Sequence, residues 1–154
     1  MTESLDQTDW AILAELQNDA RMSLTELGRR VNLSASATTE RVRRLESTGI
    51  ITAYRADVDL SKVGYPVLAV VRLKYPGNRH DPLHQLLKER VEILECLRTT
   101  GDDCYTLKVA AASMPHLEEL VNELTEFGST TTNLVYSQTQ PYRGPQQNRA
   151  TPAL

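Results

Sequence analysis

Residues 23–48 constrain the fold of this chain most, because their pattern predicts two short helices separated by a tight break. Ser23 followed by Glu26 is a capping-box sequence, in which the hydroxyl accepts a backbone N–H and the carboxylate reaches back to the cap. Asn32 tolerates the left-handed conformation that is common at a helix exit. Ser34 is placed to cap the second helix. The stretch therefore predicts a helix, a turn and a helix.

The second predicted helix, residues 35–48, has one apolar and one polar side. One face repeats at helical spacing and is expected to be buried: Ala35, Thr38, Val42 and Leu45. The opposite and flanking positions are small at the start of the helix and cationic further on, which suits approach to base edges and contact with phosphates or guanine. These positions, with the cap, are the predicted DNA contacts: Ser34, Ser36, Ala37, Glu40, Arg41, Arg43 and Arg44. The alternative is a plain amphipathic hairpin with a solvated basic face.

Charge is distributed unevenly along the chain. The formal net charge is −3, so the whole protein is not a general polycation for nucleic acid. Residues 29–55 nevertheless hold six arginines against two glutamates, a local excess of four positive charges. A local basic patch in an acidic protein favours a specific duplex binder over a non-specific coat.

The residues on either side of this pair of helices complete the predicted N-terminal domain, residues 1–56. Asp6 is placed to cap a first helix that ends near Asn18, so three helices are expected. Residues 50–58 begin with β-branched side chains and could form a two-stranded wing, with Tyr54 and Arg55 near the DNA backbone. The alternative for this segment is a plain connector.

The second half of the chain changes from helical to strand periodicity after a linker at residues 57–64. The pattern predicts a strand at 67–73, a helix at 82–91, strands at 93–99 and 105–111, a helix capped by Ser113 and a strand at 130–138. This β-α-β-β-α-β order is the ferredoxin-like arrangement and makes the chain α+β, with this domain at residues 65–140. Two helices cover one face of four strands, so the other face is expected to meet a second subunit. Residues 141–154 are polar and predict a flexible tail, with a strand-exchanging arm as the alternative.

Several classes of protein are disfavoured by composition. No run of 18 apolar residues exists, and the acidic, polar N-terminus is not a secretory signal. Cys96 and Cys104 are expected on neighbouring strands several residues out of register, and hence as free thiols in a reducing cytosol. No cysteine or histidine cluster has metal-ligand spacing.

The chain resembles the Lrp/AsnC (feast/famine) family of regulators. The matching words run in order over nearly the whole sequence: LDQTDWAILAELQNDAR at 5–21, ELGRRVNLS at 26–34, ERVRRLESTGII at 40–51, VDLSKVG at 58–64 and TGDDCY at 100–105. The resemblance implies an N-terminal winged helix-turn-helix and a C-terminal sensing domain. It also implies dimers that assemble into octamers or similar discs, no cofactor, and an amino acid or related small metabolite as effector.

The resemblance also assigns residues. It implies a structural or phosphate-binding role for Arg41, and an effector site between subunits that is lined by the turn at residues 101–105 and the facing last strand. The implied effector contacts are Gly101, Asp102, Asp103, Cys104, Tyr105, Thr131 and Thr132. The family's turn reads roughly Gly-any-Tyr-Asp-aromatic, whereas Asp103 and Cys104 stand here in the tyrosine and aspartate positions.

Two other functions compete with an effector-controlled regulator in the cytoplasm and nucleoid. One is an architectural, chromatin-like protein that binds DNA without sequence preference or effector. The other is an enzyme, since a few relatives of the family are sirohaem decarboxylases that use histidine and basic residues. Only His80, His84 and His116 are candidates here, and their positions at or in helices predict exposed polar residues rather than catalytic ones.

Overall fold

The structure is a computed structural model in which residues 4–147 are described. The chain divides into two compact units. Of the described residues, the first unit contains 4–57 together with 141–147, and the second is Val58–Gln140. The described part of the predicted tail, residues 141–147, has neither helix nor strand, and the carbonyl of Pro145 accepts from Gln17 Nε2 at 3.2 Å.

The first unit contains three helices: α1 at Gln7–Asn18, α2 at Leu24–Arg30 and α3 at Ala35–Ser47. Asp6 caps α1 in a complete capping box with Asp9, and Ser23 caps α2 through the N–H of Glu26. The Glu26 carboxylate does not complete the predicted box at Ser23, because it binds two arginines instead. The apolar sides of the three helices form one core: Ile12, Leu16, Leu27, Val42 and Leu45.

The turn between α2 and α3 follows the sequence prediction closely. Asn32 has φ +56°, in the left-handed region, and Gly49 after α3 has φ +74°. The hydroxyl of the buried Thr38 donates to the Ser34 carbonyl at 2.8 Å, which satisfies a polar group inside the helix pair. Ala35 differs from the prediction: it is exposed, because the buried stripe begins only at Thr38.

The predicted wing is wrong. Residues 50–59 contain no strand, so this segment is the connector that the sequence left as the alternative. Ile50 and Ile51 pack against the helical core instead of pairing as strands. Within the predicted linker, Leu60–Val63 form a short 3-10 helix that ends at Gly64.

The second unit has the predicted β-α-β-β-α-β order. Its elements are β1 at Val67–Lys74, α4 at Asp81–Glu89, β2 at Ile93–Arg98, β3 at Tyr105–Ala111, α5 at Met114–Thr125 and β4 at Ser129–Leu134. The four strands form an antiparallel sheet in the order β2-β3-β1-β4, which confirms the ferredoxin-like α+β arrangement. The last strand ends at Leu134, earlier than predicted. Its neighbour β1 begins at Val67, so beyond the bond from the Val135 N–H to the Leu68 carbonyl only one further β1 residue remains.

The two faces of the sheet differ in burial. Alternate residues of β1 and β3 are fully buried in the core with the two helices: Ala69, Val71, Leu73, Leu107 and Val109. Leu68 and Val70 point to the other face and are only partly buried. Cys96 lies opposite Leu107 and the Cys104 carbonyl accepts from Thr99, as predicted, so both thiols are free.

Candidate nucleic-acid interface and effector turn

The exposed side of α3 has small side chains at its N-terminus and a cation, Arg43, about two turns later. Ser34 Oγ accepts from the N–H of Ala37 at 3.3 Å and lies 3.1 Å from Ser36 Oγ. Ser36, Glu40 and Arg43 are exposed along one shallow groove with Thr39. This surface combines close backbone approach, hydroxyls and a free guanidinium, which are groups that contact base edges and phosphates.

Two of the three arginines of α3 do not point away from the protein. Arg41 Nη1 lies 2.7 Å from Asp9 Oδ1 and 2.7 Å from Asp6 Oδ2, and Arg44 Nη2 lies 2.7 Å from Asp9 Oδ2. Asp9 is only 1% exposed. This placement differs from the predicted DNA contact of Arg44, since its guanidinium is ion-paired with Asp9. For Arg41 the ion pairs agree with the structural alternative that the family resemblance implied.

The same pairs shift the protonation equilibria of the exposed partners. The backbone N–H of Asp9 and the guanidinium of Arg41 lower the pKa of Asp6. The carboxylates of Asp6 and Asp9 raise the pKa of Arg41. Both shifts favour the charged forms, so the ion pairs persist at neutral pH.

Two further arginines are paired on α2. Arg29 and Arg30 both donate to the Glu26 carboxylate, and Arg30 also donates to Glu15 Oε2 at 2.9 Å. These bonds lower the pKa of Glu26 to about 2. Of the six arginines in the basic segment, only Arg43 and Arg55 lack a carboxylate partner among residues 4–147.

Tyr54, a predicted contact with the DNA backbone, is hydrogen-bonded to the C-terminal part of α3. Its hydroxyl donates to Glu46 Oε1 at 2.9 Å. Burial, together with this bond to a carboxylate, raises the pKa of Tyr54 to about 12. The phenol therefore stays protonated at neutral pH, and its ring remains partly exposed beside Arg55.

The predicted effector turn connects β2 to β3 and carries two acidic side chains. Gly101 has φ +105°, which favours glycine at this position. Asp103 Oδ2 lies 3.4 Å from Arg72 Nη1, and the more exposed Asp102 lies 3.9 Å from Lys74 Nζ. Thr99 Oγ1 donates to the Asp103 carbonyl at 2.6 Å and fixes the turn. The turn thus places an anion beside a cation of β1.

The two threonines of the last strand lie on different faces of the sheet. Thr131 is the partner of Arg72 in the antiparallel register, and Thr132 is the partner of Val71. Cross-strand partners share a face and successive residues alternate. Thr131 therefore shares the face of Arg72, whereas Thr132 is on the face that carries the core, so the structure brings only one of the two predicted threonines towards Asp103.

Known domains match both units. The AsnC-type helix-turn-helix domain matches residues 5–46, and the Lrp/AsnC ligand binding domain matches residues 68–145. The chain belongs to the Lrp/AsnC family. One relative in this family, the HTH-type transcriptional regulator LrpC of Bacillus subtilis (strain 168), is 36% identical over 91% of this chain and 97% of LrpC.

Solved Lrp/AsnC structures share the fold. The structure of B. subtilis LrpC has a TM-score of 0.87 and covers 91% of this chain and 100% of that chain. The feast or famine regulatory protein (Rv3291c) from M. tuberculosis, complexed with L-methionine, has a TM-score of 0.86 at 30% identity and covers 94% of this chain and 100% of that chain. This Lrp/AsnC chain is accordingly a transcriptional regulator with a helix-turn-helix and a ligand-binding domain.

Tyr105 and Cys104 face inward in this Lrp/AsnC domain. Tyr105 is a predicted effector contact, but it is 2% exposed and belongs to the core. Its ring is therefore not available to an effector at the turn. Cys104 Sγ accepts from the backbone N–H of Tyr75 at 3.2 Å. The thiol therefore fixes the end of β1, although the aspartate of the family pattern is missing.

Of the histidines predicted to be exposed, His84 is exposed and His80 and His116 are half-buried. His80 and His84 both contact the Tyr105 hydroxyl, at 2.8 and 3.3 Å. Arg98 Nη2 lies 3.2 Å from His80 Nε2. Because a guanidinium only donates, His80 Nε2 accepts and its Nδ1–H donates to Tyr105, whose own proton then points to His84. Within residues 4–147 no three histidine, cysteine or acidic groups are placed to hold a metal ion.

His116 pairs with a buried carboxylate. Its Nε2 lies 2.8 Å from Glu92 Oε1, and its Nδ1 accepts from the N–H of Ala112 at 3.3 Å. Burial alone would raise the pKa of Glu92, but the bonds from its own backbone N–H and from His116 outweigh burial and lower it. This pair joins the start of β2 to the start of α5, which is a structural role.

Sequence reasoning missed Asp9 and Arg72. Asp9 has the sequence position of an ordinary capping-box residue, which does not indicate a further role. The indication available in the sequence was that Arg41 and Arg44 are one helical turn apart, so that one carboxylate can bind both. Arg72 lies in the apolar strand β1. An arginine among apolar residues, on the face that no helix covers, could have indicated a charged site there. Within the described residues, none of the helices is both long and apolar enough to cross a bilayer.

Proposed function

We propose that this regulator binds specific duplex sites through the exposed side of α3 and that an amino acid or related small metabolite changes its assembly or its DNA binding. The exposed side of α3 carries the proposal: small residues at the helix N-terminus precede Arg43, a cation without a carboxylate partner among residues 4–147. Small residues allow a helix to enter the major groove, and a free arginine supplies a guanine or phosphate contact. The proposed contacts are Ser34, Ser36, Ala37, Glu40 and Arg43, with Arg55 on the DNA backbone.

The proposed effector site is the turn at residues 99–104. A free amino acid carries an ammonium and a carboxylate, and the Asp103–Arg72 pair offers one group of each opposite sign. Gly101 and Asp102 add backbone N–H groups at an open turn. The L-methionine complex of the M. tuberculosis relative supports an amino-acid ligand.

The uncovered face of the sheet is the proposed contact with a second copy. Leu68, Val70, Leu97 and Val135 line a shallow groove of about 430 Å³ there, and Leu97 is 52% exposed. Exposed apolar side chains on a sheet face mark an interaction surface. A two-fold dimer would present two copies of α3 to half-sites one helical turn apart, and rings of dimers would bend the DNA. We expect the protein to be located in the cytoplasm, bound to the nucleoid.

Recovery and sequencing of genomic fragments bound by the purified protein tests this proposal. The binding is done at fixed salt, with and without a pool of the twenty amino acids. We expect enrichment of a few upstream sites with two-fold symmetry, and a change in their occupancy when the pool is present.

Each other outcome removes a defined part of the proposal. Enrichment that the pool leaves unchanged removes the amino-acid effector but keeps the specific regulator. Equal recovery of all fragments supports the architectural alternative, since specific binding implies a specificity ratio well above one. Haem-type absorbance in the purified protein would favour the decarboxylase alternative.

A further inference from the structure

We infer that Asp9 limits the sequence-independent part of DNA binding, because it withholds Arg41 and Arg44 from DNA phosphates and leaves Arg43 as the one cation of α3 that contacts DNA. This inference rests on the proposed function. It concerns a side chain on α1, outside the helix that approaches the duplex. The observation behind it is the bridge from one buried carboxylate to two arginines on neighbouring turns of α3.

The carboxylate of Asp9 is saturated by the protein. Oδ1 accepts from Arg41 at 2.7 Å, and Oδ2 accepts from Arg44 at 2.7 Å and from the N–H of Asp6 at 3.1 Å. With both guanidinium groups in place Asp9 is 1% exposed, so a guanidinium that leaves breaks a short charge-assisted bond to a carboxylate that it shields. Moving either arginine to a phosphate would strip a buried charge of a partner, which is unfavourable in a low-dielectric site.

The two arginines are held through their guanidinium tips. Arg44 bonds to Asp9 through Nη2, while its Nε is buried without a hydrogen-bond partner among the described residues. Arg41 is held by a second carboxylate, since its Nη1 also lies 2.7 Å from Asp6 Oδ2. Both side chains therefore run towards α1. Arg43, on the other side of α3, has no such partner among the described residues.

This arrangement reduces the sequence-independent part of DNA binding. Each phosphate that a protein neutralises contributes about 0.9 to the slope of log K against log salt concentration. Two masked arginines thus remove up to about 1.8 from the slope per subunit. Because phosphate contacts carry no sequence information, masking them weakens binding to every duplex alike and leaves discrimination to the exposed side of α3.

Fluorescence anisotropy of full-length variants on a random duplex and on an enriched fragment, over a salt series, tests the inference. We expect Arg43→Gln to flatten the slope by about 0.9 per subunit and Arg44→Gln to leave it unchanged. We expect Asp9→Asn to steepen the slope by up to about 1.8 and to tighten binding to the random duplex and to the enriched fragment alike. Asp6→Asn is the matched control, because asparagine keeps the helix cap and Asp9 still holds both arginines.

The opposite results would overturn the inference. Equal flattening by Arg44→Gln and Arg43→Gln would make Arg44 a phosphate contact, and an unchanged slope for folded Asp9→Asn would make Asp9 purely structural. Thermal melts of each variant establish folding, and if Asp9→Asn does not fold, the two arginine variants decide. If no genomic fragment is enriched, the proposed function fails, yet the slopes on the random duplex still test the masking.

Discussion

The hydroxyl oxygen of Thr38 on α3 lies too close to Gly28 of α2 for residue 28 to carry a methyl group. A Cβ at Gly28 would be 2.7 Å from Thr38 Oγ1 and 2.8 Å from the Leu33 carbonyl oxygen. Both distances are shorter than van der Waals contact. The two helices can therefore approach each other only because residue 28 has no side chain.

We expect Gly28→Ala to destabilise the protein by about 1–3 kcal/mol, the usual effect of overpacking. Thr38→Ala added to this variant should restore only part of the loss, because the Leu33 carbonyl still blocks the methyl group. Urea unfolding followed by circular dichroism measures both changes. Thr25→Ala, at an exposed position of the same helix, is the control. Full rescue by the double variant would contradict the role of the carbonyl.

The ion pairs of Asp9 make a prediction about stability. The double variant Arg41→Gln, Arg44→Gln leaves the Asp9 carboxylate without a cation, which costs about 1–3 kcal/mol, because the arginines are 31% and 41% exposed and solvent screens part of each pair. The matched double variant Arg43→Gln, Arg55→Gln removes two charges without carboxylate partners, and its unfolding free energy should change by at most about 0.5 kcal/mol. Equal midpoints in urea for the two double variants would show that Asp9 does not need its partners.

The Glu92–His116 pair predicts acid sensitivity. The pKa of Glu92 is lower in the folded protein than in the unfolded chain, so the unfolded state binds more protons as the pH falls. The stabilisation is thus fully present above the unfolded pKa of about 4.3 and is lost as the pH falls through the folded value. Urea midpoints from pH 6 to pH 3 should fall less steeply for Glu92→Gln than for the wild type. Parallel pH profiles would exclude this contribution.

The turn at Gly101 gives a prediction about the effector. A β-branched residue at φ +105° is strained by about 1–3 kcal/mol, although a Cβ would find no atom within 4 Å. We expect Gly101→Val to abolish the response of DNA binding to amino acids and to leave binding without effector unchanged. Glu118→Gln is the control, because this exposed side chain lies on α5, outside the turn. Anisotropy titrations with L-methionine compare the two, and a response retained by Gly101→Val would place the effector elsewhere.

Local signals predicted most of the helix-turn-helix. Ser34, Asn32 and Gly49 each act within a few residues of their own position, so the sequence suffices to place a cap, a left-handed turn and a helix end. The prediction of a wing was wrong because tertiary packing outweighs local preference. Ile50 and Ile51 have the β-branched side chains of a strand, but they pack, partly buried, against the helical core.

The charges were harder to predict than the elements. A helical wheel places Arg44 opposite Val42, but an arginine stem is long enough to bring its guanidinium back to α1. The contacts of His80 and His84 with Tyr105 depend on packing between α4 and β3, which periodicity does not report. Alternation along β4 could have separated Thr131 from Thr132, because their faces follow from strand geometry alone.

The pairing of arginines with carboxylates also bears on how fast the protein can find DNA. Residues 4–57 contain seven arginines, no lysine and eight acidic residues, so this segment carries almost no net charge when viewed from beyond a Debye length. Long-range attraction would then contribute little to encounter. Association is expected nearer the unsteered range of about 10⁵–10⁶ M⁻¹s⁻¹ than the steered limit, with discrimination appearing in how long each complex lasts.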